Sequence, residues 1–112
     1  MAGRDREGVS AMRRRLLLEA PVETSDGLGG TRSSYRQVAA LWAQVEWVSG
    51  LERWREGRPE QIGTHRITLR WRAGIDASQR FRDGERIYAI RALGDPDGGR
   101  RRLVCLAEEM SR

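Results

Sequence analysis

The chain has 112 residues, a formal charge of +5 and a sequence pI of about 10.8, and all 21 of its basic residues are arginine. That length gives one domain with a modest core, and the single Cys105 leaves no intrachain disulfide to hold it. No apolar run approaches the roughly 20 residues of a membrane span, and the first residues lack the apolar segment of a signal peptide, so a soluble, intracellularly assembled protein is expected.

Residues 1–12 are polar and without period, and read as a flexible arm. Arg13-Arg14-Arg15 leads into a short strand, Leu16 to Ala20, expected to stop at Pro21. The arginine triplet reads as a solvated strand entry, with phosphate contact as the alternative. Ser25-Asp26-Gly27-Leu28-Gly29-Gly30 reads as a loop, because no helix opening with Lys-Ser or Lys-Thr follows to make it a phosphate cradle.

Residues 38–48 form the longest alternating run, with Leu41, Ala43, Val45 and Trp47 on one face and Trp42, Gln44, Glu46 and Val48 on the other. Either tryptophan taken alone reads as packed within the subunit. Together, on two faces, they point to a second surface beyond the core. Residues 49–63 break the strand pattern. Ser49 and Glu52 have capping-box spacing, Leu51 and Trp54 would share a helix face, and Pro59 limits any helix to about two turns. A long excursion in a small β-domain is either a solvated loop or a functional one. Its Arg53, Arg55 and Arg58 alternate with Glu52, Glu56 and Glu60, a mixture of signs with a small basic excess.

From Thr64 to Glu109 one unit recurs three times, an alternating run ended by a turn: His65 to Arg72, Glu85 to Leu93, and Arg101 to Ala107. In the first, Ile67, Leu69 and Trp71 face one way and Arg66, Thr68, Arg70 and Arg72 the other, the pattern of a half-buried strand. Asp83-Gly84 and Asp95-Pro96-Asp97-Gly98-Gly99 supply the turns that fold such strands into antiparallel hairpins.

Catalytic and metal sites lack parts. His65 is the only histidine, no acidic group stands at ligand spacing from it, and Cys105 sits in the apolar run Leu103-Val104-Cys105-Leu106. No catalytic residue, metal or cofactor is expected. The basic excess leaves a weak attraction to polyanions.

The ordered set is more specific than any single piece. Pro21 to Gly30, Leu41-Trp42-Ala43-Gln44-Val45-Glu46, Ser49-Gly50-Leu51-Glu52, Thr64-His65-Arg66-Ile67 with the Arg70-Trp71-Arg72 strand end, Arg86-Ile87-Tyr88-Ala89-Ile90 and Asp95-Pro96-Asp97 together resemble the head-tail joining family of tailed bacteriophages. These are also called head-closure or stopper proteins, and similar ones occur in gene transfer agents. The resemblance covers residues 16–109. It implies an all-β fold, a small antiparallel barrel of about five or six strands spanning 13–109, with residues 49–63 as a long inserted loop behind the flexible arm.

The resemblance further implies a homo-oligomeric ring, a hexamer or alternatively a dodecamer, in a virion or virion-like particle assembled in the host cytoplasm. Its partners would be the portal adaptor, the tail terminator and tail proteins, and the packaged double-stranded DNA in its channel, with no membrane. Arg53, Arg55 and Arg58 are the channel-loop candidates, and Trp42, Trp47, Arg70 and Arg72 the subunit-interface candidates. The arginine rows could pair with Glu108 and Glu109 of a neighbour, or face solvent. The alternatives are a tail-terminator or other connector ring of the same particle, and a monomeric nucleic-acid-binding β-barrel stacking bases on Trp42, Trp54 and Trp71.

Overall fold

A computed structural model describes the backbone of residues 13–55 and 58–110 and, within these, the side chains outside positions 32 and 49–62. The arm expected at residues 1–12 lies outside the described residues. Six strands are described: β1 (Arg14–Ser25), β2 (Thr31–Arg55), β3 (Arg58–Arg70), β4 (Arg80–Asp83), β5 (Arg86–Gly94) and β6 (Arg102–Met110). All neighbouring pairs are antiparallel, and the order β1-β2-β3-β6-β5-β4 closes as a barrel where β4 returns to β1 through Leu17↔Arg82, Leu18↔Phe81 and Glu19↔Arg80.

Alternation sorts the side chains. Leu16 and Leu18 of β1, Ala43 of β2, Ile67 and Leu69 of β3, Phe81 of β4, Tyr88 and Ile90 of β5, and Leu103, Cys105 and Ala107 of β6 meet in one buried cluster. Every strand contributes at least one residue, so the barrel is filled rather than hollow. Shifts of register at Leu18/Glu19, Trp47/Ser49 and Ile90/Ala92 mark bulges, which let short strands curve enough to close. The Asp83-Gly84 signal falls where expected: Gly84 takes φ +64 in the two-residue turn that pairs Asp83 with Arg86.

Three elements differ from the sequence expectation. β1 does not stop at Pro21 but runs on to Ser25, with Pro21 opposite Tyr35. Past Glu19 the strand has β2 on one side and no strand on the other, the edge setting in which a sheet accommodates proline. The four-residue β4 was not separable from the turn beside it, since Phe81 is its one apolar residue. The described residues within 49–63 hold no helical turn; β2 and β3 stay paired through Ser49↔Thr64 to Arg55↔Arg58. A two-turn helix in water is marginal, whereas continuing an existing ladder satisfies the same backbone groups without a new nucleus.

The consequence is a strand that passes both rims of the barrel. β2 pairs with β1 from Thr31, well before the barrel wall, and with β3 as far as Arg55, well after it. Because β2 runs one way throughout, the β1–β2 ribbon and the β2–β3 ribbon leave opposite ends. The second spans seven register pairs, Ser49 to Arg55, or about 20 Å at ~3.3 Å per residue.

Candidate functional site

The three channel-loop candidates all lie on the far half of the β2–β3 ribbon. Arg53 stands opposite Glu60 in the register, and Arg55 opposite Arg58 as its last pair. Their side chains are outside the described residues. The register places one opposite-sign pair, Arg53 and Glu60, and one like-sign pair, Arg55 and Arg58, on the ribbon, a mixed charge that suits passing contact with a polyanion better than tight neutralisation of phosphates.

The interface candidates separate into two places. Trp42 and Trp47 are 55 % and 66 % exposed, so the reading of either as packed within the subunit is corrected. Ala43 is fully buried while Leu41 and Val45 pack against the core, which turns Trp42 to the outer face. Trp47 has the inward phase, but it pairs with His65 as the last residue before the bulge and stands exposed there. Trp42 sits instead on the barrel wall. The Arg15 guanidinium lies 5.6 Å from its ring centroid, and Arg70 and Arg72 share with it the wall of a cavity of about 590 Å³.

The strand arginines are mostly employed within the subunit. Arg86 clamps Glu109 bidentately at 2.9 and 3.0 Å, and Arg91 reaches Glu108 at 2.8 Å. Both carboxylates, offered as one possible match for a neighbour's arginines, are therefore engaged within the subunit. Arg14 pairs with Asp83 across the β1–β4 seam, and Arg66 with Glu46 at 3.4 Å.

The most enclosed of these groups was missed in the sequence. Glu19 is 8 % exposed and accepts from Arg80 Nε at 2.7 Å and Arg82 Nε at 2.8 Å. Burial alone would raise its carboxyl, but the two guanidiniums more than offset this and hold it below its ordinary value of 4.5. A depressed carboxylate stabilises the fold fully above its unfolded value and loses that contribution as pH falls through its folded one. Glu19→Gln should therefore cost about 1–3 kcal/mol at pH 7 and much less at pH 3, measured by urea unfolding. Part of the acid sensitivity should survive, because the hydrogen bonds from Arg86 lower Glu109 in the same direction. Parallel losses for wild type and variant across that range would refute the assignment to Glu19.

The two residues screened for chemistry are buried. His65, 6 % exposed, meets Tyr88 edge-on at 5.0 Å between centroids, and burial lowers its pKa below 6.5. Burial pushes the Cys105 thiol up to about 12, so it stays protonated. The sequence also missed the β1–β2 ribbon, in which Tyr35 carries the Arg80 guanidinium 3.6 Å from its ring centroid and Leu28 at the tip is 90 % exposed. The turn signal Asp26-Gly27 before Thr31 was the available hint: Asp26 Oδ1 accepts from Leu28 N at 2.7 Å and Gly30 N at 3.1 Å.

Among the described residues no group of three or more His, Cys, Asp or Glu side chains is placed to hold a metal ion. The family model of the phage head completion protein matches residues 9–110, which takes in the whole barrel and both ribbons. The chain belongs to the phage head completion protein family. Among solved structures, a chain from the virion of a native gene transfer agent particle is 33% identical, with a TM-score of 0.74 over 88% of this chain and 94% of that one. Protein SF1141 from Shigella flexneri 2a, 24% identical over 90% of this chain and 95% of that one, shares the fold at a TM-score of 0.69. A search of curated proteins matches nothing. The family resemblance read from residues 16–109, gene transfer agents included, is borne out by the family match and the particle chain.

Proposed function

We propose that this head completion family member is a head-closure, or stopper, subunit of a virion or virion-like particle. Copies of it form a ring, a hexamer or dodecamer, between the portal with its adaptor and the tail. The ring retains packaged double-stranded DNA and offers the tail terminator and tail proteins a docking face. Assembly takes place in the host cytoplasm.

The observation that carries this reading is the β2–β3 ribbon, a paired extension about 20 Å long on a barrel that needs none for its own core. A two-stranded ribbon is marginally stable alone, so one this long is best supported by neighbours on both sides, as a ring supplies. Pointed into a channel, it obstructs the duplex by volume. A ring meets every sequence that passes and has no use for base contacts, and Arg53, Arg55 and Arg58 then touch phosphates in passing. The mixed signs favour steric closure over an electrostatic clamp, which suits DNA that must later leave. The opposite ribbon and the exposed Trp42, Trp47, Arg70 and Arg72 are then covered by other subunits and proteins of the particle.

Producing particles without this chain tests the role. Heads should fill, fail to hold their DNA and carry no tails. Tailed, DNA-filled particles in its absence would overturn the reading.

A further inference from the structure

β2 has a strand on one side only over residues 31–42. β1 pairs with it from Thr31 onward, whereas β3 joins only at Ala43↔Leu69. Beyond Arg70 the chain turns off toward the segment before β6, where Trp71 N donates to the Arg101 carbonyl at 3.2 Å. The two strands part like a fork, and the cavity of about 590 Å³ lies in it. Leu41 and Trp42 come from β2, and Arg70, Trp71 and Arg72 from the end of β3, with Arg13 reaching in from before β1.

Two features give this fork a direction. Arg13, Arg70 and Arg72 are exposed and form no ion pair among the described residues, while Arg14, Arg80, Arg82, Arg86 and Arg91 around the barrel all have carboxylate partners. The free edge itself is also open to pairing, although it carries Arg32, Arg36 and a bulge at Val38. β1 has a free edge past Glu19 too, but that one carries Pro21, a residue that blunts strand addition. Residues 31–42 of β2 contain no proline and run straight into the basic cavity.

We propose that a partner protein other than this chain docks here by adding a strand to the β2 edge, through an extended segment that is acidic and carries an aromatic or large apolar residue. Its main chain pairs with residues 31–42, its carboxylates meet Arg13, Arg70 and Arg72, and its apolar side chain enters between Trp42 and Trp71. A row of unpaired backbone N–H and C=O groups is satisfied by another peptide main chain and not by a nucleic acid backbone, which favours a protein occupant. The chain's own arm does not fit the charge, since Arg4 and Arg6 in residues 1–12 are balanced by Asp5 and Glu7. The assignment holds whether or not the ring forms, and it divides the exposed residues: Trp47, at the other rim, is left for contacts between copies.

The probe is an array of 12-residue peptides of systematically varied acidic and aromatic content, each also made with alternate N-methylated residues, bound to the full chain. Acidic peptides with one aromatic residue should bind best, and N-methylation, which removes main-chain donors, should abolish the signal. Arg70→Glu with Arg72→Glu should weaken binding at least tenfold, and Trp42→Ala at least threefold, with both variants folded by circular dichroism. Amide hydrogen exchange of the complex should slow across residues 31–42. The proposal is overturned if no peptide class binds, if binding survives N-methylation or the double charge reversal, or if short duplex DNA protects residues 31–42 while acidic peptides do not.

Discussion

Replacing residues 52–61 with an Asn-Gly turn should leave the barrel folded and the particle unable to keep its DNA. Leu51 and Ile62 are register partners, so a two-residue turn between them closes the shortened ribbon in a geometry that hairpins favour. The described core lies on residues 16–18, 43, 67–69, 81, 88–90 and 103–107, all in the barrel wall, so the change removes none of those side chains. The melting temperature should therefore move by only a few degrees, since about 1 kcal/mol corresponds to roughly 4–8 °C in a domain near this size. Filled heads should lose nearly all their DNA on purification, measured by DNA per particle, while tail attachment falls less. Particles that keep their DNA would separate the ribbon from closure, even if the ring stands where proposed.

Phe81→Ala should have the largest effect on the fold itself. β4 has four residues, and Phe81 is the one whose side chain reaches the core, with no exposed surface. Truncating a buried phenylalanine costs about 3–5 kcal/mol, a large share of the ~5–15 kcal/mol by which a domain is stable. Here the loss falls at the seam that closes the barrel, where Leu18↔Phe81 is the middle pair of three between β1 and β4. Urea unfolding should show the midpoint collapse, with amide exchange fastest in β4 and in the first half of β1. A loss under about 1 kcal/mol would mean that the seam is held by the Glu19, Arg80 and Arg82 cluster rather than by packing.

Much of the fold was readable because a filled barrel needs alternation and the sequence supplies it. Ile67 and Leu69, Tyr88 and Ile90, and Leu103, Cys105 and Ala107 are buried at every second position, and Gly84 turns where Asp83-Gly84 predicts. The missed elements depend on partners distant in sequence. β4 offers one apolar residue between arginines, and only the return of β1 beside it makes Arg80 and Arg82 meaningful as counter-ions of Glu19. Residues 49–63 mix Ser-x-x-Glu spacing with alternating charge, so local signals pointed to a loop or a short helix, while the ladder already running between β2 and β3 decided otherwise. Alternation also assigns faces without saying where a bulge falls, and Trp47, with the inward phase, stands 66 % exposed as the last residue before one. The candidate site was legible as a location, not as a shape: the excursion was found, but its form as a paired ribbon and the second ribbon at the opposite end were not.

The same geometry explains why Glu108 and Glu109 are poor handles for assembly. With Arg91 and Arg86 already bound to them, a neighbour would have to displace charge-assisted hydrogen bonds to use either. In the ring proposed above, contacts between copies are better sought at Trp47 and along the ribbons, where apolar surface and free strand edges stand uncovered in the single subunit.

Imaging intact particles by electron cryomicroscopy should locate the barrel as a ring between portal and tail, with the β2–β3 ribbons converging on the axis just below the last density of packaged DNA. Density for this chain inside the tail tube, at the distal end of the tail, or with its ribbons turned away from the axis would contradict a head-closure role.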